Sequence, residues 1–265
     1  MTVKRDTLDN FKIVNVGGLD TACITRKELV DICVEKIDNY RAGDVFSKPF
    51  VIFDSNGHGI SLANQNSEFF QYLTQADLIH ADGQSVVSMS KWIEGPDIPE
   101  RSATTDTIHD IPLLITKTIK HFLLGGTKQV VEKCADILST QYQNFEIAGT
   151  HDGYFNKDTQ SLDVIKQINE SGADILWVGL GKPLEQAWVI QHKDVIKVPV
   201  VISCGGCYNY VTGDYARAPM WMQNSGLEWL HRAVTEPKKF LWRYVTTNPH
   251  SIFCVLKHKY ASKKR

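Results

Sequence analysis

The chain has 265 residues, 43% of them hydrophobic and 22% charged, with a formal net charge of −1. That is ordinary for a soluble globular protein, long enough to bury a substantial core as one large domain or as a domain with an appendage. The N-terminal stretch MTVKRDTLDNFKIVNVGG has no apolar signal-peptide core, and no run approaches the roughly 20 apolar residues of a spanning helix, so a cytosolic protein with at most peripheral membrane contact is expected.

Apolar runs ending in Gly or polar residues follow one another along the chain: KPFVIFDSNGHG, ADLIHADG, HFLLGGT, FEIAGTHDGYF, ADILWVGLGKP and VPVVISCGG. Segments of helical periodicity lie between them, such as ISLANQNSEFFQYL, QVVEKCADILSTQY and LEQAWVIQHK. Short apolar strands alternating with helices predict an α/β fold, with a Rossmann-like, mostly parallel sheet flanked by helices. Ligands of such sheets bind beyond the carboxyl ends of the strands, so the polar residues and glycines just after each run become the candidates.

After about Val211 the pattern changes to helices. TGDYARAPMWMQNSGLEWLHRAV reads as one helix with Pro219 at its start; EPKKFLWRYV and NPHSIFCVLKHKY follow, with Pro237 and Pro249 placed as first-turn prolines. Phe240 and Tyr244, Leu241 and Val245, and the set Ile252, Phe253 and Leu256 give the last two amphipathic faces. From Arg217 onward ten Lys or Arg stand against Glu228 and Glu236, a net +8, whereas the rest of the chain carries 19 basic and 28 acidic residues. The division expected is a catalytic domain over 1–210 and a C-terminal helical, basic appendage over 211–265. Its charge calls for an anionic partner. Trp221, Trp229 and Trp242 suit a helix lying at an anionic membrane surface better than one holding nucleic acid, although some of them can equally pack on the sheet domain.

Several residues could carry chemistry. Asp82, in ADLIHADG, is a carboxylate at a strand end that can act as general base toward a sugar hydroxyl; Asp82–Gly83 is also a common turn pair. Asp54, Asn56 and His58 follow FVIF and either bind a ligand or cap the next helix. Arg101, with Asp106 and His109 nearby, offers a planar fork for a diphosphate, or a loop ion pair. Gly125 and Gly126 follow one strand and precede a helix; Gly179, Gly181 and Lys182 follow another. Such loops let backbone approach a nucleotide closely, although neither matches a P-loop or a full GxGxxG. Cys204 and Cys207 have CxxC spacing but no second pair of ligands, so a structural role is expected. No two aspartates are separated by a single residue, so no metal or other cofactor is expected. The charge of a leaving nucleotide would fall to Arg, Lys, His and backbone N–H groups.

In this order, the motifs resemble the WecG/TagA/CpsF glycosyltransferase family from about Val51 to Tyr244. The most specific stretch is RAPMWMQNSGLEWLHRAVTEPKKFLWRY, supported by Ala81-Asp82-Gly83, Asp54-Ser55-Asn56, FLLGGT and VGLGKP. The resemblance implies transfer of a sugar from a UDP-sugar donor to a polyprenyl-diphosphate-linked sugar at the inner face of the cell membrane, in surface or exopolysaccharide synthesis. It implies Asp82 as general base, Asp54 and Asn56 in the substrate pocket, Arg101 on phosphate, and Arg217, Arg232 and Arg243 toward the diphosphate. Three positions depart from the family pattern: Asp54, Thr104, and the order Glu185-Gln186 after Gly181-Lys182-Pro183-Leu184. These bear on which sugar is used. A nucleotide-binding α/β oxidoreductase and a non-catalytic module with a basic tail are the alternatives, and self-association stays open.

Overall fold

A hairpin that the strand–helix alternation does not announce comes first in the computed structural model, which describes residues 11–43 and 48–262. Strands β1 (Ile13–Val16) and β2 (Leu19–Ala22) pair antiparallel around Gly17 and Gly18. Both glycines have positive φ, +63° and +96°, as a two-residue turn between twisted strands requires. There follow α1 (Arg26–Arg41), β3 (Phe50–Ser55), α2 (Gly57–Ala63), α3 (Ser67–Leu73), β4 (Leu78–Ala81), α4 (Gln84–Ser90) and α5 (Thr104–Leu114). Next are β5 (Ile119–Gly125), α6 (Lys128–Gln141), β6 (Phe145–His151), α7 (Ser161–Glu170), β7 (Ile175–Gly179), α8 (Leu184–His192) and β8 (Val200–Ser203). The chain continues through α9 (Cys207–Val211), α10 (Met220–Asn224), α11 (Glu228–Thr235) and α12 (Pro237–Ser262).

Strands β3 to β8 form the expected α/β sheet, in the order β4-β3-β8-β7-β5-β6. The pairs β3–β8, β7–β8, β5–β7 and β5–β6 are parallel. Central strands buried on both faces read as unbroken apolar runs; Leu176, Trp177, Val178, Val200 and Val201 are all fully buried.

The chain gathers into two units, each assembled from separated segments. One comprises Met1–Arg26, Phe53–Ala103 and Ala216–Arg265; the other comprises Lys27–Ile52 and Thr104–Tyr215. In the second, α6 buries Val131, Cys134, Ala135 and Leu138, one helical stripe. In the first, the tail helices share their unit with the hairpin, β4 and α2–α4. There α12 packs on α2: Cys254 and Val255 are buried, and His258 Nε2 lies 3.1 Å from Asn64 Oδ1.

Three local expectations are corrected. The segment from Thr212 to Val234 is two helices rather than one, because Gly226 takes φ +71° directly after the α10 cap at Ser225. Pro249 is not a first-turn proline; it lies inside α12, which continues through it. Pro249 and Val245 are both exposed, so the carbonyl that loses its N–H partner sits on the solvated side of the helix. ISLANQNSEFFQYL likewise splits, since Asn66 turns its side chain back onto Phe69 N and caps α3. Of the basic tail, Lys263, Lys264 and Arg265 lie outside the described residues, as does the first part of the N-terminal segment, residues 1–10.

Candidate active site

Two clusters of the expected residues form, one in each unit. In the first unit β3 and β4 deliver a set of carboxylates and an amide. Asp82 follows β4, and its N–H donates to Ser55 O at 2.9 Å, holding the two strand ends together. Asn56 Nδ2 donates to Asp54 Oδ2 at 3.1 Å and to Asp82 Oδ2 at 3.2 Å. Its other side-chain atom, Oδ1, accepts from Gly59 N at 2.9 Å and caps α2. The capping reading of Asn56 is met, and the amide fixed by capping also orients two carboxylates. Asp54 is buried, whereas Asp82 and His58 are half-buried.

Arg101 stands just before α5 and is held inside the same unit by the tail. Its guanidinium donates to Glu228 Oε2 at 2.7 Å and to Gln223 Oε1 at 2.9 Å. Arg217 NH2 reaches the same Gln223 oxygen at 3.1 Å, and Arg232 NH2 reaches Glu228 Oε1 at 2.5 Å. Three guanidinium groups thus gather around one amide oxygen and one carboxylate. The Arg101–Glu228 pair is not a solvated loop contact; the two side chains are only 12% and 17% exposed. Arg243 places its guanidinium over the Phe240 and Tyr244 rings, 4.6 and 5.1 Å from their centroids. Sequence reasoning overlooked Gln223 and Glu228. The signal available was the Glu228/Arg232 spacing of four on one helix face.

In the second unit the glycine loops sit at the carboxyl ends of β5 and β7. Gly125 has φ +131°, and a Cβ there would lie 2.2 Å from Gly179 O, so the two loops touch backbone to backbone. Gly126 N donates to Gly179 O at 3.3 Å, and Gly153 N donates to Gly126 O at 2.8 Å. Gly181 has φ +80° and open space where a side chain would be. Lys182 is half-buried, and Asp106 lies in the first turn of α5, where a carboxylate suits the helix dipole. His109 Nδ1 lies 3.0 Å from Tyr142 Oη. Glu185 and Gln186 are fully buried. Glu185 Oε2 accepts from Gly181 N at 2.9 Å and from Gly205 N at 3.1 Å, and Oε1 accepts from Gln186 Nε2 at 3.2 Å.

The CxxC pair belongs to the interior. Both thiols are buried, and burial pushes the Cys204 thiol well above its ordinary range. Cys207 Sγ donates to Thr104 O at 3.8 Å.

The Glycosyl transferase WecG/TagA/CpsF family matches residues 14–265. Among individual relatives, the N-acetylglucosaminyldiphosphoundecaprenol N-acetyl-beta-D-mannosaminyltransferase of Bacillus subtilis (strain 168) is 30% identical over 198 residues, 74% of this chain and 75% of that protein. The protein of the same name from Bacillus spizizenii is 31% identical over 203 residues, covering 76% and 77%. That from Staphylococcus aureus (strain NCTC 8325 / PS 47) is 27% identical over 240 residues, 90% of each chain. With a family match over nearly its whole length, the chain belongs to the WecG/TagA/CpsF family and is a glycosyltransferase.

Proposed function

We propose that the enzyme moves a sugar from a UDP-sugar to a polyprenyl-diphosphate-linked saccharide with inversion, using Asp82 as general base. The observation that carries this is the Asp54–Asn56–Asp82 arrangement: a capping amide holds a carboxylate in place at a strand end, where α/β enzymes bind ligands. Asp82 takes the proton of the acceptor hydroxyl. The hydroxyl oxygen bonds to the anomeric carbon as the bond from that carbon to the β-phosphate oxygen breaks, and the electron pair departs on UDP. The glycine loops of β5 and β7 admit the nucleotide, with Lys182 beside them. Arg101, Arg217, Arg232 and Arg243 serve the diphosphates, whose charge they meet without a metal ion. Asp54, His58 and Asp106 complete the binding positions.

The relatives' names supply the substrates to try first: an N-acetylmannosamine donor and an N-acetylglucosaminyl-diphospho-undecaprenol acceptor. Purified protein is incubated with that acceptor and a panel of UDP-sugars. One donor should turn over, and Asp82→Asn should lower that turnover by about 10²-fold or more while leaving UDP binding intact. Near wild-type turnover in Asp82→Asn would remove Asp82 from the base role.

The tail supports a peripheral position at the inner face of the membrane. No helix among the described residues is long and apolar enough to cross a bilayer. On α12, at 100° per residue, Leu241, Trp242, Val245, Ile252, Phe253 and Leu256 fall within one stripe about 120° wide, and all are exposed. Phe240, Tyr244, Ser251, Cys254 and Val255 occupy the opposite side and are buried. Lys238 and Lys257 are exposed as well. An apolar stripe with neighbouring cations is suited to the interface of an anionic bilayer, and residues 211–265 would act as the membrane-associating appendage.

A further inference from the structure

Glu185 is the most deeply placed carboxylate of the second unit's glycine-loop region. It is fully buried, at the first turn of α8, and one of its oxygens accepts from two backbone amides on two different loops. Gly181 belongs to the loop after β7 and Gly205 to the loop after β8, and these strands are parallel neighbours in register from Ile175/Val200 to Val178/Ser203. Both glycines hold positive φ, +80° and +50°, with open space where a side chain would stand. Local backbone bonds also shape each loop: Gly181 O accepts from Glu185 N at 3.0 Å, and Cys204 O accepts from Cys207 N at 2.9 Å across Gly205. The buried carboxylate that accepts from both N–H groups ties the two loops to each other, because charge-assisted hydrogen bonds in a low-dielectric interior are strong.

Coupling extends further. Gly179, two residues before Gly181, touches Gly125 through its carbonyl and accepts from Gly126 N, and Gly126 O accepts from Gly153 N. Loops after β5, β6, β7 and β8 are therefore linked in series, with Glu185 joining the last two. The Gly181 and Gly205 amides, turned into a shared acceptor, would otherwise be anion-binding donors of the kind that hold phosphate. With a carboxylate seated on them, they are closed to a second anion.

We infer that Glu185 is a positioning residue for the donor nucleotide: its carboxylate fixes the β7 and β8 loops together and reserves them for the uncharged nucleoside part of the donor. This rests on the assignment of the glycine loops to the donor. Gln186 bears on the design of the test. Its Nε2 donates to Glu185 Oε1, and its own Oε1 is buried without a partner. In Glu185→Gln the new amide oxygen can still accept from both loops. Its NH2 group can be received by Gln186 Oε1 once that amide turns over. Glu185→Asp keeps the charge but is one methylene too short to reach both loops, and Glu185→Met keeps the bulk but accepts nothing.

The test measures UDP by isothermal titration and uridine by competition with UDP, on wild type and the three variants, with folding checked by circular dichroism. Glu185→Asp and Glu185→Met should weaken UDP and uridine alike, by about tenfold or more, the scale expected for loops loosened around a ligand. Glu185→Gln should stay within about threefold of wild type, because hydrogen-bond reach rather than charge is what the loops need. If Glu185→Met does not fold, Glu185→Asp against Glu185→Gln decides. Wild-type affinity in Glu185→Asp, or a loss confined to UDP with uridine unchanged, overturns the inference while leaving the donor assignment standing. A wild-type protein that binds neither UDP nor uridine overturns the donor assignment and the inference with it.

Discussion

Gly125→Ala tests whether the contact between the β5 and β7 loops is as tight as the structure has it. The new methyl would lie 2.2 Å from Gly179 O, 2.5 Å from Gly179 C and 2.8 Å from Gly179 Cα, all backbone atoms that no rotamer change can move. An ordinary contact needs more than 3 Å, so one loop must retreat by about 1 Å, which in a packed interior costs about 1–3 kcal/mol. The backbone adds to this. Gly125 has φ +131°, where an L-residue is strained by about 1–3 kcal/mol. Together the substitution should destabilise the protein by about 2–6 kcal/mol, and displacing the loops should weaken UDP binding as well. Gly181→Ala provides the control. It also has positive φ, but nothing lies within 4 Å of its added methyl, so only the backbone cost of about 1–2 kcal/mol applies. Urea unfolding of both variants separates the clash from the strain. Equal destabilisation of the two, or Gly125→Ala within about 0.5 kcal/mol of wild type, would refute the close approach.

Acid should destabilise the fold through His121. Its ring is buried, stacked on Phe145 at 3.6 Å between centroids, and accepts from Trp177 Nε1 at 3.0 Å; burial lowers its pKa from 6.5 to about 3. The unfolded chain then binds a proton that the folded chain refuses. Stability is full above about pH 6.5 and falls as the pH drops toward 3, with about 2 kcal/mol lost by pH 5. Urea midpoints at pH 7 and pH 5 measure this, and His121→Leu should remove that part of the slope even though it is less stable overall. The membrane face is best tested by substitution rather than by truncation near Val211, because residues 216–265 are part of a folded unit and Val255 is fully buried. Leu241→Glu with Trp242→Glu changes only exposed positions; binding to anionic liposomes should fall at least tenfold with the melting temperature nearly unchanged. Undiminished liposome binding would place the membrane surface elsewhere, and DNA co-sedimentation alongside checks the competing nucleic-acid partner.

Much of the architecture is legible in the sequence for a simple reason. Strands such as ILWVG and VVIS are buried on both faces and so must be apolar throughout, while helices such as α6 must show a 3.6-residue stripe. Asp82 and the glycine loops stood out because strand ends and left-handed turns restrict residue type, whereas Arg217, Arg232 and Arg243 were marked only by the family resemblance. What hid was everything that depends on distant partners. The β1–β2 hairpin is short, and its Gly17-Gly18 signal is slight beside the long α/β alternation. Pro249 lies on the solvated side of α12, where the lost hydrogen bond costs least, and no local pattern reveals that.

Composition, periodicity and motif order by themselves determined an α/β chain with glycine loops and a cationic, amphipathic tail, since these follow from local propensity and from which residues tolerate burial. Only the tertiary structure decided that Asn56 joins Asp54 to Asp82, residues 28 apart, and that Arg101 is held by Gln223 and Glu228 more than 100 residues later. It also decided which apolar face of the last helix is buried and which is bare. Such pairings are set by how separated segments of the chain pack into one unit, and a side chain's partner across that distance leaves no periodicity to read.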